Sequence, residues 1–281
     1  MMNKISIVGA GIMGSGIAQI SAQAGYEVVI TDVDQEHLDR GIAQIANTLD
    51  RGVQRGFLEE SAREKALGLI QTTLDLEEIA QAPFIIETIW EEESAKVELL
   101  GKLDKLSAPD TILASNTSSI PITNLAVSAQ QPGRIVGMHF FNPPYAMNLV
   151  EVIRGYHTTD EAVAKVVEVS ETLGKRPVVI QDSPGFVVNR LVAPFLNEAA
   201  MILQEGVATK EDIDECVRLG LNHPMGPFQL MDLIGLDITF HEISSIFERT
   251  GDSKYRPSTL LRKMVTAGQL GRKTGSGWYT Y

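Results

Sequence analysis

Cysteine is almost missing from this chain. Cys216 is the only one in 281 residues, which excludes an internal disulfide and any zinc site built on cysteines. Positive charge is also scarce: 24 Lys and Arg stand against 36 Asp and Glu, for a formal net charge of −12. A nucleic-acid footprint needs a basic face, so none is expected. Any anionic ligand must instead be met by local cations or helix N-termini, because the global field repels it. No apolar run approaches the roughly eighteen residues that span a bilayer, and there is no internal repeat or low-complexity tract. The opening MMNKISIVGAG already reads as a strand and a glycine turn, so no signal or transit peptide is expected. The resulting expectation is a cytoplasmic protein with no membrane, nucleic-acid or metal partner.

What is present is an alternation of two periods. Residues 4–8 (KISIV), 26–32 (YEVVITD), 84–89 (FIIETI), 111–116 (TILASN), 134–140 (RIVGMHF) and 176–181 (RPVVIQ) are short, β-branched apolar runs that read as strands. Between them, 12–25, 34–56, 59–70, 94–106 and 161–175 repeat apolar residues at helical spacing. Strands alternating with helices predict a mostly parallel sheet covered on both faces. After DSPGFVVNR (182–190) only helical periodicities and Pro/Gly breaks follow, with GWYTY (277–281) as the one further strand candidate. The expected fold class is therefore α/β over 1–182, then an all-helical domain over 183–281. With the glycine loop GAGIMG (9–14) after the first strand, the α/β part is expected to be a Rossmann-type, dinucleotide-binding domain.

The clearest motif is GAGIMG (9–14), a G-x-G-x-x-G that follows a strand and opens a helix. Asp32 closes the second strand eighteen residues past Gly14, where such a fingerprint wants an acid. In this context Gly9 permits the tight turn, Gly11 lets backbone approach a diphosphate, and Gly14 lets helix and strand pack closely. Ile12 and Met13 complete the loop. The helix N-terminus offers free N–H groups to the diphosphate. Asp32 would take ribose hydroxyls and repel a 2′-phosphate, which favours NAD over NADP.

Reacting groups should lie at the carboxyl ends of the strands, beside that cofactor. ILASNTSSIP places Asn116, Thr117, Ser118 and Ser119 past one strand end, where they serve either as a helix cap or as a site. His139 stands in the apolar run GMHFFNPPYAMNLVEVI. If 134–140 pairs with LVEVI (149–153) across NPPYAMN, a hairpin centred on Tyr145 sets His139 opposite Glu151. Opposed side chains are about 5 Å apart at Cβ, so the carboxylate could orient the imidazole as a base. A satisfied core histidine is the competing reading.

Taken together, SIVGAGIMGSGIAQ, ASNTSS, GMHFFNPP with LVEVI, DSPGFVVNR, HPMGPFQLMDLIGLD and GRKTGSGWYTY resemble the L-3-hydroxyacyl-CoA dehydrogenase family, nearly end to end. Within it, the chain is similar to the short bacterial members that act on 3-hydroxybutyryl-CoA. The resemblance implies reversible NAD-dependent oxidation of an (S)-3-hydroxyacyl-CoA to the 3-ketoacyl-CoA, acetoacetyl-CoA for the short substrate. It makes His139 the general base, Glu151 its orienting carboxylate, and Ser118 and Asn189 the polar contacts of the substrate. Glu91, Lys96, Asn116, Ser118, Asn142 and Lys273 become cofactor contacts beyond the glycine loop.

The same resemblance implies a helical domain that dimerises and a cleft for the acyl-CoA that domain closure completes. For the CoA moiety it points to Thr48, Arg51 and Arg55 on the long helix after the second strand. Arg51 and Arg55 are i and i+4, on one helix face, and they depart from the family's usual lysines. Two other readings stay open on the residues alone: a dehydrogenase of a free β-hydroxy acid, and a non-catalytic NAD-binding protein. The second needs neither His139 nor Glu151.

Overall fold

In the computed structural model, which describes residues 3–281, the chain forms two compact units, one ending at Ser183 and the other running from Pro184 to Tyr281. The first unit begins with β1 (Lys4–Val8), α1 (Ile12–Gln23) and β2 (Glu27–Thr31). There follow α2 (Gln35–Gln54), α3 (Glu60–Gly68), β3 (Ile70–Thr73), the single turn α4 (Leu76–Ile79), β4 (Phe84–Glu87), α5 (Glu93–Leu106) and β5 (Ile112–Ser115). The unit closes with the short α6 (Ile122–Leu125), β6 (Ile135–Phe140), β7 (Leu149–Arg154), α7 (Asp160–Thr172) and β8 (Arg176–Gln181).

The eight strands form one sheet in the order β3-β2-β1-β4-β5-β6-β7-β8. All neighbours are parallel except β6 and β7, which pair antiparallel. Strand order reverses between β1 and β4, so the crevice for a dinucleotide opens at their carboxyl ends. The central strands are apolar because helices cover both faces. Ile5, Ile7, Phe84, Ile86, Ala114, Val136 and Val152 are buried with Ile17 and Ala18 of α1 and Val163, Val166 and Val169 of α7.

Local chemistry sets the helix starts. Asp34 caps α2 by accepting from the His37 N–H, and Thr159 caps α7 by accepting from the Ala162 N–H. At α1 the capping residue is Gly11, which has no side chain to spend on the first turn.

One stretch departs from the periodicity. The helix expected over 59–70 stops at Gly68, and Ile70–Thr73 is β3. This strand lies at the sheet edge, so it has only one partner and does not need an apolar face. Its IQTT sequence carries almost no alternation to read.

The second unit consists of α8 (Val188–Gln204), α9 (Lys210–Gly220), α10 (Pro227–Ile234), α11 (Leu236–Thr250) and α12 (Thr259–Thr266). Its core gathers Leu196, Phe228, Met231, Ile243, Ile246 and Trp278, with Phe228 and Trp278 edge to face at 4.7 Å. GWYTY is not a strand: Ser276 and Thr280 form only an isolated bridge. A side chain takes the place of a partner strand, since the N–H groups of Trp278 and Tyr279 donate to the Asp232 carboxylate at 2.8 and 2.9 Å.

Candidate active site

The glycine loop is built for close backbone approach. A Cβ on Gly14 would stand 1.8 Å from the Gly9 carbonyl oxygen, so α1 can meet β1 only with glycine there. Gly9 has φ +105°, open to glycine at little cost. At Gly11 a Cβ would meet nothing within 4 Å, so the space above the helix N-terminus is open. Ile12 and Met13 occupy the first turn of α1, Ile12 largely exposed. Asp32 follows β2 and holds the loop in shape: Oδ2 accepts from the Ala10 N–H at 2.6 Å and Oδ1 from the Val33 N–H at 2.7 Å. Each carboxylate oxygen retains lone-pair capacity for a ribose hydroxyl. These residues fit a dinucleotide diphosphate and its ribose.

Further along the carboxyl ends, β6 and β7 pair with His139 directly across from Glu151. His139 Nδ1 lies 2.8 Å from Glu151 Oε2, and the two residues are 5 % and 2 % exposed. If Nδ1 carries the proton toward the carboxylate, Nε2 presents a lone pair. Asn116, just past β5, accepts the Phe140 N–H on Oδ1 at 2.9 Å and so steadies the residue next to His139. Asn142 begins the connecting turn. That turn is clasped from below by Lys175, buried, whose Nζ donates to the carbonyls of Pro144 at 2.6 Å and Met147 at 2.9 Å. Burial lowers the proton affinity of Lys175.

Glu91 and Lys96 meet in a buried cluster. Lys96 is 1 % exposed; its Nζ stands 2.6 Å from Glu87 Oε1 and 3.4 Å from Glu91 Oε2. Glu91 Oε1 in turn accepts from the Thr117 hydroxyl at 2.6 Å and from the N–H groups of Ser118 and Ser119 at 2.9 and 3.1 Å. The Ser118 hydroxyl is also within 3.2 Å of that oxygen. Burial would raise the Glu91 carboxyl, but the Lys96 charge and the loop's hydrogen bonds hold it below the usual range. Burial dominates at Glu87 and pushes it up.

The remaining candidates lie on α2 and in the second unit. Thr48 and Arg51 lie late in α2 and Arg55 caps its end; the Thr48 hydroxyl donates to the Gln44 carbonyl at 2.9 Å. In the second unit, Asn189 stands in the first turn of α8, and Lys273 pairs with Asp237 at 2.6 Å.

Glu87 and Lys175 were not anticipated from the sequence. For Glu87 a signal existed, as the one charged residue in an apolar strand. For Lys175, one lysine before an edge strand carries none.

The family model "3-hydroxyacyl-CoA dehydrogenase, NAD binding domain" matches residues 4–183, and that of the family's C-terminal domain matches 185–281. A probable 3-hydroxybutyryl-CoA dehydrogenase of Deinococcus radiodurans is 50% identical over 278 residues, 99% of this chain and 100% of that protein. A probable 3-hydroxybutyryl-CoA dehydrogenase of Bacillus subtilis is 46% identical, covering 100% of this chain and 98% of the relative. The crystal structure of (S)-3-hydroxybutyryl-CoA dehydrogenase from Ralstonia eutropha is similar with a TM-score of 0.97 at 44% identity, over 100% of this chain and 99% of that one.

Proposed function

The chain belongs to the 3-hydroxyacyl-CoA dehydrogenase family, and from that premise we propose its substrate, its base and its contacts. It is an NAD-dependent oxidoreductase that converts 3-hydroxyacyl-CoA to 3-ketoacyl-CoA. The substrate is (S)-3-hydroxybutyryl-CoA, the short acyl chain for which the full-length relatives are named.

The observation that carries the mechanism is the buried His139–Glu151 pair across one hairpin of the nucleotide-binding sheet. With Nδ1 donating to Glu151, His139 Nε2 takes the proton of the 3-hydroxyl. Bound NAD⁺ supplies the acceptor for the hydride that leaves C3. Glu151 then lies against the imidazolium and stabilises it, as the acid of a serine-protease triad does for its histidine. Ser118 and Asn189 are the polar contacts of the 3-oxygen and the thioester region.

Gly9, Gly11 and Gly14 seat the diphosphate, and Asp32 the adenosine ribose. Glu91, Lys96, Asn116, Asn142 and Lys273 complete the cofactor's contacts, Glu91 and Lys96 largely by shaping the loop that carries Ser118. Arg51 and Arg55 bind CoA phosphates from one face of α2, with Thr48 one turn before; none of the described residues forms an ion pair with either arginine. The second unit mediates a homodimer, and Leu191, Leu219, Leu221, Leu233 and Ile238 are among the exposed aliphatic side chains it offers to a partner copy. The protein works in the cytoplasm.

The test is a panel of (S)-3-hydroxyacyl-CoA thioesters and free 3-hydroxybutyrate, followed at the NADH absorbance. Highest kcat/KM on the four-carbon thioester with no turnover of the free acid is expected. Turnover of the free acid at a comparable rate would remove CoA from the reading. Sedimentation at micromolar concentration should return twice the chain mass.

A further inference from the structure

Two glutamates at the carboxyl end of β4 share one lysine, and the connection runs further than the ion pairs. Glu87, the last residue of β4, is fully buried. Its Oε1 accepts from Lys96 Nζ at 2.6 Å and from the Ile89 N–H at 2.8 Å, and its Oε2 from the Ser115 hydroxyl at 2.5 Å. Lys96 also donates to the Ile89 carbonyl at 3.0 Å and faces Glu91 at 3.4 Å. Glu91 gathers the donors of Thr117, Ser118 and Ser119. Ser115 ends β5, and Thr117 comes two residues later. The bonds therefore close a ring from β4 through Lys96 and Glu91 to the loop after β5 and back through Ser115.

A carboxylate at the end of an apolar strand is not there for stability. A hydrophobic residue of similar volume would fill the position without the cost of stripping water from two charges. Nor would Lys96 be buried by itself. In the first turn of α5 its long stem would let the ammonium reach solvent. Glu87 draws it inward, and the ammonium so fixed lies beside Glu91 Oε2. With one oxygen held, the other is aimed at the Thr117 hydroxyl and at the N–H groups of Ser118 and Ser119 in the loop at the strand end.

We propose that Glu87 is a positioning residue of the dehydrogenation: through Lys96 and Glu91 it sets where the Ser118 backbone and hydroxyl stand. The inference rests on the assignment of Ser118 as a substrate contact. It gives the otherwise unexplained buried glutamate a part in the reaction without a contact of its own to any ligand.

The test is a double-mutant cycle of Glu87→Gln with Ser118→Ala in the full-length enzyme, read in kcat, with amide exchange measured on the ligand-free protein. Gln preserves the shape and loses the charge that holds Lys96. Glu87→Gln alone should lower kcat by about 10- to 100-fold, the scale of an ångström-sized misplacement. It should also speed exchange at the Ser118 and Ser119 amides, which a loss confined to the core would leave slow. In the Ser118→Ala background, Glu87→Gln should cost at most about twofold more, because the two act through one group.

Equal fold-losses in both backgrounds, or unchanged exchange at 118 and 119, would overturn the proposal. If Ser118→Ala is itself silent, the Ser118 assignment falls and takes this role with it. If Ser118→Ala is impaired while Glu87→Gln is not, only the Glu87 inference falls. Ser115→Ala, which removes just one anchor of Glu87, is the milder variant should Glu87→Gln not fold. The same non-additivity at smaller size is expected of it, and additivity would count against the proposal equally.

Discussion

The two units bury their carboxylates in different company. In the first, each fully buried acid faces a group that carries or can take a positive charge: Glu87 meets Lys96, Asp104 meets Arg134, and Glu151 meets His139. In the second, Asp214 and Asp232 are 3 % and 1 % exposed and face none among the described residues. Asp214 accepts from the Phe228 N–H at 2.8 Å and the Tyr279 hydroxyl at 2.8 Å; Asp232 accepts from the Trp278 and Tyr279 N–H groups and from the Tyr281 hydroxyl at 3.0 Å.

Neutral donors of this kind do not lose or gain a proton near neutral pH, so the acids of the second unit fasten chain to chain and nothing else. An imidazole opposite a carboxylate can change its charge, and the carboxylate then supports the charged form. The partner, more than the burial, separates a proton-transfer site from a clasp.

The sharpest way to break that contrast is at the imidazole. His139→Gln keeps a donor for Glu151 but cannot take a proton, so kcat should fall by about 10²–10⁴-fold, the range for a positioned acid–base group. NADH affinity, set by the glycine loop and Asp32, should stay near wild type. Glu151→Gln should give a smaller loss in kcat. Steady-state kinetics with NADH binding checks both, and a His139→Gln enzyme within twofold of wild-type kcat would make the pair another clasp.

That hairpin was legible from residues alone because a strand has period two. Once the turn centre is placed at Tyr145, every pairing across it follows, and His139 can only face Glu151. The glycine loop was legible for a similar reason, since spacing along one βαβ unit fixes Gly14 and Asp32 in space. Glu87 and Lys96 were not, because their meeting depends on a side chain folding inward from a helix, which periodicity does not register. β3 was hidden by its polar edge position, and the end of the chain by Asp232, which supplies from 46 residues away the acceptor that a neighbouring strand would give to Trp278. The helix pattern of the second unit could be read in outline, but its polar clasp could not.

Next in size is the stability cost of orphaning a charge in each unit. Arg134 donates from Nε to Asp104 Oδ1 at 3.0 Å and from its other nitrogens to the carbonyls of Asp104, Ala108 and Thr111. Arg134→Met leaves Asp104 buried without its cation and should cost about 3–5 kcal/mol of unfolding free energy, as for a broken buried pair. Asp232→Asn orphans no charge: the amide oxygen still accepts, and the loss is confined to one or two bonds, about 1–3 kcal/mol. Urea unfolding of both variants measures the ratio. An Asp232→Asn loss as large as that of Arg134→Met would show that the neutral clasp carries as much as the paired charges.

The smallest effect separates the units by pH. The Tyr279 phenol has its pKa raised above the ordinary value near 10, first by burial and then by its hydrogen bond to Asp214, whose negative charge penalises phenolate. The folded state thus keeps a proton that the unfolded chain gives up near pH 10. Its contribution to stability is complete below that pH and is lost progressively as pH rises through and beyond it. Asp214 works in the same sense at lower pH: burial raises its carboxyl, so the folded unit penalises the ionised acid and gains nothing from making the solution more alkaline. Tyr279→Phe removes the titrating proton while leaving the ring, which also lies 4.8 Å under the Lys210 ammonium. Wild type should therefore lose more stability than Tyr279→Phe between pH 9 and 11, about 1 kcal/mol or less for a group that solvent partly reaches. The urea midpoints of wild type and Tyr279→Phe across that window decide it: parallel curves would mean that Asp214 is held by the backbone N–H groups alone, and that the phenol merely rests beside it.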